Sequence, residues 1–168
     1  MTTTIQSSDA AHYTMTPAEQ SDDEILAHAE RILLDRLRVK RPIFDALTGA
    51  GPAMQYVRHH LALAEREAFG VLFLDNKHRV LAVEDLFWGT VNSSEVHPRE
   101  IVKRALHHNA AAAIIYHNHP SGDPEPSTAD ERLTRRIKDI LSAVDVTLLD
   151  HLIVGSTDVL SFAERGLL

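Results

Sequence analysis

The segment from His117 to Asp130, HNHPSGDPEPSTAD, places two histidines, a serine and an aspartate at a spacing that can hold a metal ion. His117 and His119 are two apart, so on an extended chain both imidazoles leave the same face. Ser127 follows a loop, and Asp130 lies three residues on, one turn into an expected helix, where its carboxylate can swing back toward the histidines. Two imidazole nitrogens and one carboxylate oxygen are the three ligands of a catalytic zinc that keeps a fourth position for water. Each residue has an ordinary reading as well. Ser127 to Asp130 is a capping box, a role compatible with ligation. A histidine at a strand end is commonly a hydrogen-bonded surface residue, and the chain has 11 of them. By the chain's own composition, however, the four-residue pattern arises by chance about 3 times in 1000, so the combination carries the signal.

The elements that must position these residues can be traced along the chain. Residues 1–20 are polar and without periodicity, as expected of a flexible tail. Ser21 and Glu24 form a capping box ahead of Ile25, Leu26, Ala29, Ile32, Leu33 and Leu37 at helical spacing, which predicts a helix over 22–39. Pro42 and the Gly49-Ala50-Gly51-Pro52 stretch break the chain, and Met54, Val57, Leu61 and Ala64 mark a second helix. The expected organisation is an N-terminal helical segment over 21–52 and a core domain over 53–168.

Within that domain AFGVLFL, from Ala68 to Leu74, has strand length, and Asn76-Lys77-His78 turns the chain into RVLAVEDLFWG as a hairpin. Pro98 opens the helix PREIVKRALHHN. The small and β-branched run AAAIIYH then reads as a buried strand that delivers His117 at its end. The loop NHPSGDPEP is stiffened by prolines before Ser127 opens a helix with Leu133, Ile137, Ile140, Leu141 and Val144 inward. VTLLDHLIVG and DVLSF close the domain as strands. Strands mixed with helices predict an α/β (α+β) fold with a mixed sheet flanked by helices.

Composition narrows the function classes. At 168 residues, with 44% hydrophobic and 24% charged content, one domain can bury a core. No apolar run approaches the roughly 18 residues of a membrane span, and MTTTIQSSDAAHYT lacks the pattern of a secretory leader, so a soluble, unprocessed, cytoplasmic protein is expected. With no cysteine, disulfides, thiolate zinc and cysteine nucleophiles are excluded. The net charge of -7 argues against a broadly basic nucleic-acid surface, although Arg132, Arg135, Arg136 and Lys138 crowd one helix.

HNHPSGDPEPSTAD resembles the H-x-H-x7-S-x2-D signature of the JAMM, or MPN-type, zinc hydrolases. The longer stretch GTVNSSEVHPREIVKRALHHNAAAAIIYHNHPSGDPEPS is similar to the RadC family within that fold, and the likeness runs from roughly residue 55 through LLDHLIVG and SFAERG. Longer RadC-family members carry an N-terminal helix-hairpin-helix region associated with DNA, for which the sequence ahead of this core is too short. The resemblance implies a cytidine-deaminase-like α/β sandwich. It also implies hydrolysis of a peptide or isopeptide bond by a zinc-bound water, with one Zn2+ per chain and an upstream glutamate as general base. Carried over by position, His117, His119 and Asp130 are the metal ligands and Ser127 helps hold the transition-state oxygen. The glutamate corresponds to Glu67, with Glu65 the alternative. Independently of the resemblance, Glu67 stands at the mouth of the first core strand, where a carboxylate can face a neighbouring strand-end loop.

Other residues carry weaker signals. His97 is read as capping the helix that Pro98 opens, Glu100 as complementing its dipole, and His107 and His108 as suiting its far end. Asp150 and His151 are unusual in an apolar strand; they either orient a metal ligand or form an ordinary buried hydrogen-bonded pair. Phe87, Trp88 and Tyr116 are read as core or cleft wall. The expected partner is a peptide or protein substrate, with specificity set by loops 88–97 and 118–126. The competing reading is a DNA-repair-associated or DNA-binding accessory protein with a structural metal site, acting through the Arg132 to Lys138 helix. A third is a metal-stabilised interaction module without turnover.

Overall fold

The computed structural model describes residues 21–37, 50–89 and 96–168; expectations for residues 1–20, 38–49 and 90–95 lie outside it. The elements are α1 (Asp22–Leu37), α2 (Gly51–His60), β1 (Ala68–Leu74), β2 (Val80–Trp88), α3 (Pro98–His107), β3 (Ala112–Asn118), α4 (Thr128–Ser142), β4 (Thr147–Val154) and β5 (Val159–Ser161). The strands form one mixed sheet in the order β2-β1-β3-β4-β5, with β3 and β4 parallel and the other pairs antiparallel. This is the mixed sheet with flanking helices that the sequence led us to expect.

Strands β1 and β3 are buried along their whole length, as continuous apolar runs in the middle of a two-sided sheet must be. Alternation assigns their side chains to two cores. Leu72, Leu74, Ile114 and Tyr116 pack with Tyr56 and Val57 of α2. Phe69, Val71, Phe73 and Ile115 pack on the other face with Ile101 and Ala105 of α3 and Ile137 and Leu141 of α4. His117 follows the parity of Ile115, so its ring points toward the α4 side. The fold thereby delivers the end of β3 and the start of α4 to one place.

Two local readings need correction. Gly51 and Pro52 do not end a break but begin α2, with proline in the first turn, where its missing N–H has no helical partner to lose. That helix stops at His60, so Ala64 lies beyond it, although Leu61 remains buried at its end. At the far ends of α3 and α4, Asn109 and Asp145 take left-handed backbone conformations (φ 51° and 59°), in the manner of helix-terminating residues.

One row across three strands is built around a glycine. Gly70 of β1 pairs with Tyr116 of β3 on one side and Asp85 of β2 on the other. The missing side chain lets the Tyr116 ring lie across β1, and its hydroxyl donates to Asp85 Oδ1 at 2.7 Å. Asp85 also binds His60 Nε2 at 2.9 Å, and His60 Nδ1 meets Glu30 of α1 at 2.7 Å. This chain of polar contacts ties α1 and α2 to the sheet.

Candidate metal centre

His117 is the penultimate residue of β3, and His119 follows directly after the strand, its backbone N–H bonded to Val154 O at 2.9 Å. Their Nε2 atoms lie 2.9 Å apart. Asp130 enters from the first turn of α4, with Oδ1 3.4 Å from His117 Nε2 and Oδ2 3.6 Å from His119 Nε2. A tetrahedral cation bound at about 2.0–2.1 Å requires ligand atoms about 3.3 Å apart. The two nitrogens and the nearer carboxylate oxygen of each pair lie close to that spacing, and one ligand atom from each of the three residues lies within 4.8 Å of the other two, so the three groups can share one ion. The donor chemistry agrees, because two imidazole nitrogens and a carboxylate oxygen are ordinary ligands of zinc. These are the only three residues that converge in this way among the described residues.

The approach of Asp130 is set by its cap. Ser127 is the N-cap of α4: its Oγ accepts from Asp130 N at 3.2 Å, while its own N–H and hydroxyl donate to Asp130 Oδ2 at 2.8 and 2.6 Å. The capping-box and ligand readings of Asp130 therefore hold together in one geometry. His119 Nδ1 faces Asp123 O at 2.7 Å, which fixes the N–H on Nδ1 and leaves Nε2 bare.

The electrostatics prepare the groups for a cation. Burial pushes His117 down to about 4, with His119 adding to the effect and Asp130 opposing it. The Asp130 carboxylate raises His119 above its ordinary value against partial burial, with the Asp123 carbonyl and the charge of Glu67 contributing. Burial alone would raise Asp130, but His119, Ser127 and His117 hold its carboxyl well below the usual range. At neutral pH the site thus presents an ionised acid and a neutral buried imidazole, the states that ligation requires.

This segment lies inside a longer match: residues 47–167 match the family described as RadC-like JAB domain. The chain belongs to the RadC-like JAB domain family. It is 57% identical over 122 residues to UPF0758 protein Smlt0399 of Stenotrophomonas maltophilia strain K279a, covering 71% of this chain and 52% of that protein. It is 56% identical over 124 residues to a UPF0758 protein of Nitrosococcus oceani, covering 74% of this chain and 55% of that one. The UPF0758 protein YkfG of Escherichia coli K12 is 54% identical over 123 residues, covering 73% of this chain and 78% of the relative. The chain spans about half the length of the first two of these relatives.

The remaining candidates of this RadC-like domain fall into place around the triad. Glu67 directly precedes β1 and is close enough for its charge to act on His119. Glu65 instead lines a separate hollow with His60, Leu63 and Trp88. Asn118, which the sequence reading passed over, sits between the two histidines and grips the Glu67 segment on both sides: its Oδ1 accepts from Ala68 N at 2.8 Å and its Nδ2 donates to Arg66 O at 3.2 Å. Gly89 N holds the Glu67 carbonyl at 2.7 Å. An asparagine inside a histidine motif gives no sequence signal of this role, because its partners lie about fifty residues upstream.

Asp150 and His151 are hydrogen-bonded through the His151 backbone N–H, but their side chains do not bond to each other. Adjacent on β4, their side chains leave opposite faces. Asp150 accepts from Ser161 Oγ at 2.6 Å, from Ala163 N at 3.0 Å and from the His151 backbone at 2.7 Å, bracing β5 and the turn after it. The His151 ring turns to His117. His97 is the N-cap of α3 but makes no side-chain cap bond, and its ring meets Phe87 edge-on. Glu100 is in the first turn of α3, and His108 at its end pairs with Glu84 at 2.7 Å. Tyr116 is core, whereas Trp88 is exposed under the Arg66 guanidinium. No helix among the described residues is long and apolar enough to cross a membrane.

Proposed function

We propose that this RadC-like JAB domain is a zinc-dependent hydrolase of peptide or isopeptide bonds. The observation that carries the reading is the convergence of His117 Nε2, His119 Nε2 and the Asp130 carboxylate, whose two oxygens lie 3.4 and 3.6 Å from the two nitrogens, in a group that can hold one metal ion. A zinc ion held there supplies Lewis acidity, lowering the pKa of a bound water to about 7 and polarising a substrate carbonyl.

The protein side chains supply the rest. Glu67, on a segment fixed by Asn118 and Gly89, takes the proton of the attacking water and returns it to the leaving nitrogen. Ser127 holds the Asp130 carboxylate by its hydroxyl proton; rotation of that hydroxyl presents the same proton to the oxygen of the tetrahedral intermediate, a contribution of about 3–4 kcal/mol for a single donor of this kind. A cavity of about 480 Å³ reaches from His119 past Pro120, Leu61, Ala64 and Val154 to Arg58. Its walls mix apolar side chains with Arg58, His59 and Asn118, a lining with room for the side chains and backbone that flank a scissile amide.

The test is Glu67→Gln in a peptide-library cleavage screen with zinc-loaded protein. The expected result is retained fold and metal with hydrolysis reduced about 100- to 10,000-fold. Full activity of the variant on a substrate that the wild type cleaves removes Glu67 from the mechanism.

A further inference from the structure

Behind His117 runs a hydrogen-bonded chain that returns to the helix supplying the third ligand. His117 Nδ1 lies 2.8 Å from His151 Nε2. His151 Nδ1 lies 2.6 Å from Thr134 Oγ1. Thr134 Oγ1 lies 2.6 Å from the backbone carbonyl of Asp130. His151 is wholly buried, Thr134 and His117 nearly so, so no solvent competes for these bonds. Phe69 and Phe162 wall the two rings.

The proton order in this chain follows from its last member. A carbonyl oxygen can only accept, and Thr134 has one hydroxyl proton. Were that proton turned to His151, two oxygen lone pairs would face each other at 2.6 Å with nothing between them. The hydroxyl therefore donates to Asp130 O and must accept from His151 Nδ1–H. A neutral His151 with its proton on Nδ1 has a bare Nε2, which accepts from His117 Nδ1–H. His117 then has its lone pair on Nε2, aimed at His119 and Asp130. The opposite order would put a proton on Nε2, where the cation belongs.

We infer that His151 and Thr134 are positioning residues that lock His117 into its metal-binding tautomer, with the α4 backbone carbonyl of Asp130 as the fixed reference. The helix residue whose carboxylate binds from one side thus orients, through two side chains, the imidazole that binds from the other. A hydrogen-bond partner behind a ligating imidazole commonly controls affinity by about 10- to 100-fold. A neutral histidine with a threonine behind it preserves this orientation without adding a second buried negative charge, as a carboxylate partner would.

This inference rests on the metal-site reading above, but its first readout does not. Nitrogen-15 spectra of the metal-free protein report which imidazole nitrogen carries the proton; His151 and His117 are expected as Nδ1–H tautomers. Chelator competition then gives the zinc dissociation constant. Thr134→Val, close in shape and without the hydroxyl, is expected to weaken zinc binding about 10- to 100-fold and shift the tautomers, and Thr134→Ser to restore both. His151→Phe should weaken binding comparably, while His151→Gln, which keeps an acceptor and a donor, should recover part of it. A role confined to packing would lower thermal stability in these variants and leave the dissociation constant in place. An Nε2–H tautomer of His151 or His117 in the wild type, or unchanged zinc affinity in Thr134→Val and His151→Phe, overturns the inference. If no variant hydrolyses any peptide, the tautomers and affinities still decide it.

Discussion

Replacing Gly70 by alanine places a methyl carbon 2.3 Å from Tyr116 Cζ, 2.3 Å from its hydroxyl oxygen and 2.6 Å from Cε2. Comfortable carbon contacts begin near about 3.5 Å, so the overlap exceeds what small adjustments absorb. Strand β1 cannot retreat, because it is hydrogen-bonded to β2 on one side and β3 on the other. The Tyr116 ring must swing, and in doing so it gives up its 2.7 Å bond to Asp85. Overpacking a filled core costs about 1–3 kcal/mol, and a hydrogen bond to a charged group contributes about 1.5–3 kcal/mol. The expected loss is therefore about 2.5–6 kcal/mol, a large share of the roughly 5–15 kcal/mol that stabilises a domain. Urea denaturation, read from the midpoint at constant slope, measures it. In a Tyr116→Leu background the obstacle is gone, and Gly70→Ala should cost less than about 1 kcal/mol, a coupling that a double-mutant cycle isolates. Equal costs in the two backgrounds, or a Gly70→Ala protein as stable as the wild type, would refute the three-strand row.

Further expectations follow from the same contacts. His60 is raised above its ordinary value of 6.5: burial opposes its charge, but Asp85 and Glu30 on either side more than offset that. A raised folded value stabilises the protein fully below the unfolded value and loses that contribution as pH rises through the folded one. His60→Gln should therefore destabilise more at pH 6 than at pH 9 in chemical denaturation, and an equal loss at both pH values contradicts the ion pairing. The exposed residues Arg132, Arg135, Arg136 and Lys138 on α4 are expected to leave duplex DNA unbound even at low salt, given the net charge of -7. Salt-dependent binding in a mobility-shift assay that collapses when these four are changed to glutamine would instead favour the DNA-associated reading.

What could be read from the sequence was what local geometry controls. The strand period alone places His117 and His119 on one face, and the capping box alone swings Asp130 backward, so the triad was legible within fourteen residues. The run AFGVLFL and the small and β-branched stretch that opens AAAIIYH were likewise legible as strands, since continuous apolar runs of that length suit a strand covered on both faces. The supporting shell was not legible. Asn118 finds its partners near residue 67, and His151 meets His117 only because β3 and β4 pair in parallel in one register. Thr134 is one polar residue on an otherwise apolar helix face, and nothing in its neighbours in sequence distinguishes a hydroxyl turned to a carbonyl from one turned to a ring. Gly51 and Pro52 misled for a related reason, because the same dipeptide that ends one helix also starts another. The packing of Tyr116 across Gly70 required the register of three strands to be known.

The most direct test is metal content by mass spectrometry after zinc loading and gel filtration, with dissociation constants for the wild type, His117→Ala and Asp130→Ala. The account predicts one zinc per wild-type chain and strong weakening in both variants, with the fold intact by circular dichroism. Wild-type protein that retains no zinc, or variants that bind it as tightly as the wild type, would contradict a centre built from His117, His119 and Asp130.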